Sequence, residues 1–452
     1  MVGRLRTLLA HCCTINIALN ARYPTSRTIH THQSIFMKLS KFGEKFTRQS
    51  AINQLMLDLG DAYASDNPDI CMLGGGNPAA IPEAQALFGR EMEQLIDNKL
   101  FENMIGAYDG PQGEIKFITV LADYLNSKFG WDIGTQNISL TNGSQNSFFY
   151  LFNALAGQMS DGSMKKILFP LAPEYVGYAD SGLSDDMFSS RRPIIELLTD
   201  KQFKYRVNFD DLKLDDDIAA ICLSRPTNPT GNVVSDRELA KLDQLARDHN
   251  IPLIIDNAYG QPFPNVIHTE ANTPWNENIV LCMSLSKLGL PGARTGIVIA
   301  NTEITNMISS LSGIITLAPN SIGASLMTRM IEDNEIEHLT EQIIKPYYQE
   351  RLASTLNLFH EYFSELPVLM HKPEGAFFLW LWLQDLPIST KELYQRLKAK
   401  HVYVIPGEEF FIDIDPSWEH TKQCLRISYA QPEDRLRRGF EVLAAELQEL
   451  YG

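Results

Sequence analysis

The chain has 452 residues, 44% of them hydrophobic and 21% charged, with a net charge of −16. That composition fits a globular protein of two domains of uneven size, excludes disorder as the main state, and argues against nucleic acid as a partner. The longest continuous apolar stretch, AFFLWLWL at 376–383, is too short to span a bilayer, and six scattered cysteines without a C-x-x-C pair suit a reducing compartment and offer no metal site.

Residues 1–36 stand apart as an N-terminal extension. The first 43 residues hold six Lys or Arg and no Asp or Glu, which leaves −22 for the rest. An acid-free start bearing Arg, Ser and Thr resembles an organelle transit segment. No apolar, helix-periodic face runs through it, so it reads as sequence upstream of a start at Met37, and the expected location is the cytoplasm. Residues 37–85 then supply an arm and part of a small domain, 86–334 a large domain, and 335–452 the remainder of the small one.

Within the large domain, short apolar runs alternate with helix-length segments. The runs are KILF (166–169), IAAICL (218–223), IPLII (251–255), IVLCM (279–283) and GIVIA (296–300). Among the segments between them, SDRELAKLDQLARDHN puts Leu239, Leu242, Leu245 and Ala246 on one helical face, with Ser235 and Glu238 spaced as a capping box. This alternation predicts an α/β fold with a mostly parallel central sheet sandwiched by helices. Asn228, Asp256 and Lys287 each follow one of these runs. Ligands of open α/β sheets bind beyond the carboxyl ends of the strands, so an amide, a carboxylate and an amine are expected on one rim.

The last third changes character. A helical pattern over 325–365 leads to PEGAFFLWLWL, a strand hinged on Gly375; VYVIPGEEFF and QCLRISYA follow, then a charged closing helix. The pattern reads as a smaller α+β domain sharing a layer with the early CMLGGGNPA (71–79). His371 and His420 are expected at the surface or in loops.

Lys287 sits in SLSKLGLPG (284–292). An isolated loop lysine belongs on the surface, but one aimed into a cleft is a Schiff-base candidate, because burial or a neighbouring cation keeps part of it neutral. Ser284, Lys287 and Arg294 bracket a glycine- and proline-containing loop that brings backbone close to a ligand, and the arginine suits a phosphate. Gly143, Ser144 and Gln145 open a helix whose free N–H groups attract an anion, although such starts are common as plain caps. Asp256 could cap the next helix, or pair with a protonated ring nitrogen and make a pyridine ring a better electron sink. Tyr259 and Asn228 could donate to a phenolate oxygen on the same ring; Asn228 also suits an Asn-Pro turn.

The set NPTGN, DNAY, SLSK and PGAR, in that order, resembles the fold-type I pyridoxal-phosphate aminotransferases of the aspartate aminotransferase class. More narrowly, MLGGGNPA, YDGPQG, LTNGSQNSFFYLFN, FPLAPEY, SRPTNPTGNV, IDNAYG, LCMSLSKLGLPG and HKPEGAFFLWLW resemble the group within it that passes an amino group from valine to pyruvate. These blocks run over nearly the whole chain past the extension.

The resemblance implies roles residue by residue. Lys287 would hold pyridoxal 5'-phosphate and then shuttle the substrate's α-proton. Asp256 would pair with the ring nitrogen, and Tyr259 and Asn228 with the ring oxygen. Ser284, Arg294, Ser144 and the amides of Gly143–Gln145 would grip the phosphate. Tyr108 in AYDGPQG matches a position that reaches the phosphate of a neighbouring subunit, which implies a homodimer. Arg426 would bind the substrate α-carboxylate; without the family it reads equally as a surface ion pair. Gly75 and Gly76 would belong to a loop that closes over the substrate, their other reading being an ordinary tight turn. Two departures stand out. The Lys287-to-Arg294 loop is one residue tighter than the common class pattern, and Ala172 occupies the position that usually stacks an aromatic on the ring, which leaves Tyr175 as its substitute.

The implied products are 2-oxoisovalerate and L-alanine, a step of branched-chain amino-acid metabolism. A carbon–sulfur β-lyase would use the same Lys287 and Asp256 and release ammonia and pyruvate, and an aminotransferase of other small neutral amino acids would differ in its side-chain pocket. A non-enzymatic sensor fused to a DNA-binding module is disfavoured by the acidic charge and the pattern-poor extension. The expected partners are small amino acids, 2-oxo acids and a second copy of the chain, with no nucleic acid and no membrane.

Overall fold

The computed structural model describes residues 38–47, 57, 60, 67 and 69–452; the extension at 1–36 lies outside the described residues. The chain divides into two units, 1–45 and 46–452. In the first, the described residues open a short helix, Lys41–Phe46. All that follows concerns the second.

Its first sheet runs Ile138–Thr141, Gly296–Ile299, Ile279–Ser284, Leu253–Asp256, Ile218–Ser224 and Met164–Phe169 in spatial order, with Gly157–Gln158 and Phe188–Ser190 added beside the last. Leu253–Asp256 and Ile279–Ser284 are buried at every position, as expected for short aliphatic strands covered on both faces. Four of the five expected runs form parallel neighbours. The fifth, Gly296–Ile299, is antiparallel to both its neighbours. Its connection from Ser284 spans only 285–295, short of the dozen or so residues that a parallel crossover needs. This reversal positions the site: both ends of the loop carrying Lys287 and Arg294 return to the carboxyl end of Ile279–Ser284, with Ser284 opposite Gly296.

The helix Asp236–Asp248 forms as predicted, with the reciprocal Ser235–Glu238 capping box. Its buried face is Leu239, Leu242, Asp243 and Ala246, while Leu245 is only half-buried.

A second sheet, largely antiparallel, runs Ile405–Pro406, Cys424–Ser428, Phe378–Leu383, Val368–His371, Gln202–Arg206 and Ile194–Leu197. The early Cys71–Met72 pairs with Val402–Tyr403 alongside it, in a separate two-stranded ladder. The division into 86–334 and a part built from 37–85 and 335–452 stands as a proposal that this sheet qualifies, since the hairpin over 194–206 pairs with strands of the last third. The long helical pattern is interrupted: Ser321–Glu332 ends before Asn334, whose φ of 58° is left-handed, and a wide turn at His338–Ile344 precedes Lys345–Phe363.

His371 and His420 are buried, contrary to expectation. Both pack against Phe203 and Tyr205. Burial pushes their pKa values down to about 3, so each ring sits neutral among aromatics, hydrogen-bonded to Tyr205 through its N–H or its hydroxyl. No helix of the described residues is long and apolar enough to cross a membrane.

Candidate active site

The parallel strands place Ser224, Asp256 and Cys282 side by side in register, so the loops leaving these strands open on one rim. There a cleft is lined by Ser144, Tyr175, Asn228, Asp256, Lys287 and Arg294, among others. Gln145, Tyr259 and Ser284 line it too. The rim expected from the sequence therefore exists.

Lys287 is half-buried and donates from Nζ to the carbonyl of Gly76 at 2.7 Å. The rings of Tyr259 and Phe377 lie 5.6 and 5.8 Å from its nitrogen. Loss of hydration, then the charge of Arg426, pull its pKa down to about 8, although Asp256 pulls the other way. At neutral pH a usable fraction of this amine is deprotonated.

Asp256 is buried. Its Oδ2 accepts from the Tyr178 hydroxyl at 2.6 Å and its Oδ1 from the Ala258 N–H at 3.0 Å. Burial raises its pKa, and these hydrogen bonds and the Lys287 charge oppose the rise. Tyr178 was not anticipated from sequence; its only signal was a second tyrosine three residues after Tyr175.

Tyr259 is buried and its hydroxyl has no hydrogen-bond partner among the described residues. Asn228 accepts at Oδ1 from Arg426 Nη1 at 2.6 Å, which leaves its Nδ2 as the group able to donate. Arg426, 3% exposed, gives its other terminal nitrogen to the Gly74 carbonyl at 2.7 Å. Its guanidinium lies 4.3 Å from the Phe378 ring and 5.2 Å from that of Phe410. Its Nε has no partner, and it forms no ion pair with a carboxylate of the described residues. Burial pulls its pKa down to about 10. A buried cation held only by neutral acceptors is a receptor prepared for an anion.

A candidate anion cradle is built from Gly143, Ser144 and Arg294. Gly143 precedes the helix Ser144–Leu155 with φ of 93°, and no side chain of the described residues caps that helix. The N–H of Gly143 itself donates to the Thr141 carbonyl at 2.9 Å, so its contribution is its missing side chain: a Cβ there would fall 2.2 Å from Arg294 Nη2. Arg294 is solvent-exposed and bonds at 3.4 Å to Ser286 Oγ, a cleft residue also missed from sequence. Ser284 is buried and its hydroxyl accepts from the Ser286 N–H. Gln145 donates to the Gly177 carbonyl at 3.1 Å.

Tyr175 is half-buried in the cleft wall, edge-on to Tyr178 at 5.3 Å, while Ala172 is buried. Gly75 is buried between the two cation-binding carbonyls of Gly74 and Gly76. Tyr108 lies elsewhere. It is 83% exposed, on a surface shared with Asn142, Asn320 and Ser321, and so does not reach this chain's own cleft.

Residues 90–443 match the family described as aminotransferase class I and II. The valine–pyruvate aminotransferase of Escherichia coli K12 is 53% identical over 92% of this chain and 99% of its own length. The solved structure of valine-pyruvate aminotransferase from Salmonella typhimurium LT2 superposes with a TM-score of 0.82 at 51% identity, covering 88% of this chain and 99% of its own. A Thermus thermophilus aspartate aminotransferase mutant, at 19% identity and a TM-score of 0.72 over 90% of this chain and 99% of its own, shares the fold. The chain belongs to the class I and II aminotransferases and has the fold-type I architecture of that family. It is a transaminase, and its cofactor is pyridoxal 5'-phosphate. The unpartnered Tyr259 hydroxyl, the buried Asp256 carboxylate and the cradle that a Cβ at Gly143 would fill fit that group.

Proposed function

We propose that this aminotransferase moves the amino group of L-valine to pyruvate, giving 3-methyl-2-oxobutanoate and L-alanine, as a step of branched-chain amino-acid metabolism. Arg426 carries the reading: one buried guanidinium without a carboxylate partner among the described residues suits one carboxylate, and the rings of Phe378 and Phe410 flank it in place of a second cation. A neutral, apolar amino acid meets those conditions; a dicarboxylic one brings a second charge with no receptor. The names of the E. coli and Salmonella relatives point the same way.

When bound, pyridoxal phosphate supplies the carbonyl that takes up the amino group and the conjugated ring that stores the electron pair left by the departing α-proton. The chain's own groups do the rest. Lys287 takes the proton from the substrate α-carbon and delivers it again, a task for an amine whose pKa lies near the working pH. Asp256, braced by Tyr178 and the Ala258 amide, keeps a proton on the ring nitrogen. Tyr259 and Asn228 would donate to the ring oxygen, and Tyr175 in the cleft wall would be the aromatic partner of the ring in place of the one absent at Ala172. Ser144, Ser284, Arg294 and the amides of Ser144 and Gln145 hold the phosphate, with Gly143 giving Arg294 its space. Arg426, steadied by Asn228, would take the α-carboxylate, with Gly75 and Gly76 in the segment that would close over the substrate.

We further propose a homodimer in which Tyr108 of a second copy completes the phosphate site. Exposed Ile105, Ile314, Ile315 and Leu317 supply apolar area in the segments flanking Tyr108. The cytoplasm is the proposed location, supported by four buried cysteines that are free among the described residues.

The test is the absorbance of the holoenzyme on adding L-valine and then pyruvate. Bleaching of the band near the visible with valine and its return with pyruvate, with alanine as product, is the expected result. An unchanged band overturns valine as substrate, and net release of ammonia and pyruvate from a cysteine-type substrate would establish the β-lyase instead.

A further inference from the structure

Lys204 and Glu374 form an ion pair whose side chains are each 5% exposed. Such a pair contributes little to stability compared with apolar residues of similar volume, so its position in the fold calls for another explanation. Lys204 lies in Gln202–Arg206, and Glu374 just before Phe378–Leu383. Both grip the same residue. Lys204 donates to the Val233 carbonyl at 3.1 Å, and the Val233 N–H donates to Glu374 Oε2 at 3.1 Å. The Glu374 N–H donates to the Gly231 carbonyl at 3.2 Å. Gly375 continues the contact, since a Cβ on it would fall 2.4 Å from Pro226 Cγ, and a Cβ on Gly231 would fall 2.6 Å from the Gly375 carbonyl oxygen.

The docked loop, 226–233, is the one that carries Asn228. The segment it docks on runs into Phe378–Leu383, whose Trp380 stands opposite Arg426 in the adjoining strand. Residues 374–375 are thus a common base for both halves of the Asn228–Arg426 contact. Neither Lys204 nor Glu374 lines the cleft.

We propose that the buried Lys204–Glu374 pair positions the α-carboxylate clamp, holding the Val233 peptide so that Asn228 stays against Arg426. This rests on the reading of Arg426 as the carboxylate receptor. With the pair intact the loop has no room to retreat, and the guanidinium keeps one orientation. With it removed, Asn228 drifts from Arg426 and the enzyme loses its preference for a substrate bearing a carboxylate, while its handling of the amino group is untouched.

The experiment compares kcat/KM for L-valine with that for 2-methylpropan-1-amine, which is valine without its carboxylate, on holoenzyme variants whose melting temperatures are recorded alongside. Glu374→Gln alone strands the Lys204 charge and risks misfolding, so two uncharged double variants are used. Lys204→Met/Glu374→Leu removes both charges and the acceptor for the Val233 N–H; Lys204→Met/Glu374→Gln removes the charges and keeps an acceptor. The first should lower the valine-to-amine ratio by about tenfold to a hundredfold, as expected when a contact group is misplaced by an ångström or so, and the second should recover most of it. An unchanged ratio in both, or a parallel fall for valine and the amine, would overturn the proposal. Measuring alanine against ethylamine in the same variants separates failure of the valine reading from failure of this one, because the clamp is read whichever amino acid the wild type prefers.

Discussion

Replacing Arg426 by Met keeps an unbranched apolar stem against Phe378 and Phe410 and deletes the charge. In the cofactor-free protein the guanidinium is 3% exposed and its hydrogen bonds go to the uncharged Asn228 Oδ1 and Gly74 carbonyl. Desolvating it costs several kcal/mol, against which the two hydrogen bonds return about 1.5–3 kcal/mol each and the rings about 0.5–2 kcal/mol. These terms nearly cancel, so Arg426→Met should shift the melting temperature by no more than a few degrees in either direction. Catalysis should respond differently. A carboxylate bound by a buried cation loses about 2–5 kcal/mol when the cation is truncated, which is roughly 30- to 5,000-fold in kcat/KM for valine. The assay pairs a thermal melt of cofactor-free protein with steady-state rates on L-valine and on 2-methylpropan-1-amine, and the amine rate should hold. A melting temperature lowered by ten degrees or more with valine turnover nearly intact would show that Arg426 is a structural cation, and would refute its assignment as the carboxylate receptor.

Lys287 has a folded-state pKa of about 8, below its ordinary value, so the folded chain binds fewer protons than the unfolded one between about pH 8 and 10.5. The penalty for burying its charge is therefore present below pH 8 and is relieved as pH rises through that window. Uptake of pyridoxal phosphate by cofactor-free protein, followed by absorbance, should accelerate between pH 7 and 9 and then level off; a flat profile would contradict this. Lys287→Ala should melt cooperatively like wild type and lose nearly all turnover. Gly143→Ala places a Cβ 2.2 Å from Arg294 Nη2 at a φ of 93° and ψ of 154°, an essentially glycine-only region, so Arg294 must leave the cradle and the backbone strain costs the fold about 1–3 kcal/mol. Losing one charge-assisted hydrogen bond of about 1.5–3 kcal/mol to the phosphate should then make the cofactor dissociate roughly 10- to 150-fold faster on dialysis. Tyr259→Phe removes a buried hydroxyl that lacks a partner, which should stabilise the cofactor-free protein by about 1 kcal/mol in denaturant melts while weakening cofactor affinity in titrations.

Much of the site was legible because its residues sit at strand ends that composition alone marks. Asp256 ends IPLII and Lys287 follows IVLCM, and buried parallel strands announce themselves as short aliphatic runs. The strands at 194–197 and 202–206 were not legible. The first is mostly exposed and the second mostly buried despite Lys204, so neither shows an in-out alternation, and their pairing with strands of the last third is a long-range fact that no local pattern carries. The two histidines fail for a related reason. A lone His reads as polar until its surroundings are known, and here the surroundings, Phe203, Tyr205 and Trp382, come from distant segments. Tyr178 is invisible for the same cause, since its role is defined by Asp256, far along the chain. The Arg426 assignment needed the family resemblance at the outset, because a strand arginine is ordinarily a surface ion pair. Only its burial, and the absence of an acidic partner among the described residues, distinguishes it.

Three consecutive glycines explain how one cleft holds two cations that repel each other. Gly74 offers its carbonyl to Arg426 and Gly76 offers its own to Lys287, so the charges are met by dipoles. A carboxylate in either place would satisfy the cation more fully, and would then compete with the substrate for Arg426 or hold Lys287 protonated. Backbone carbonyls avoid both outcomes while still answering the desolvated donors. A side chain at Gly74 would crowd this segment, since its Cβ would stand 3.2 Å from the Val404 carbonyl. The site is consequently short of negative charge, with Asp256 the carboxylate whose field reaches Lys287. Each ligand of the proposed reaction brings an anion: the phosphate, the ring oxygen and the α-carboxylate. Binding each of them relieves a cost that the empty fold carries, so the melting temperature should climb in two steps, first with pyridoxal phosphate and again with a non-reactive carboxylate such as 3-methylbutanoate. The second step should vanish in Arg426→Met. If it persists there, the carboxylate is held elsewhere and the charge argument fails.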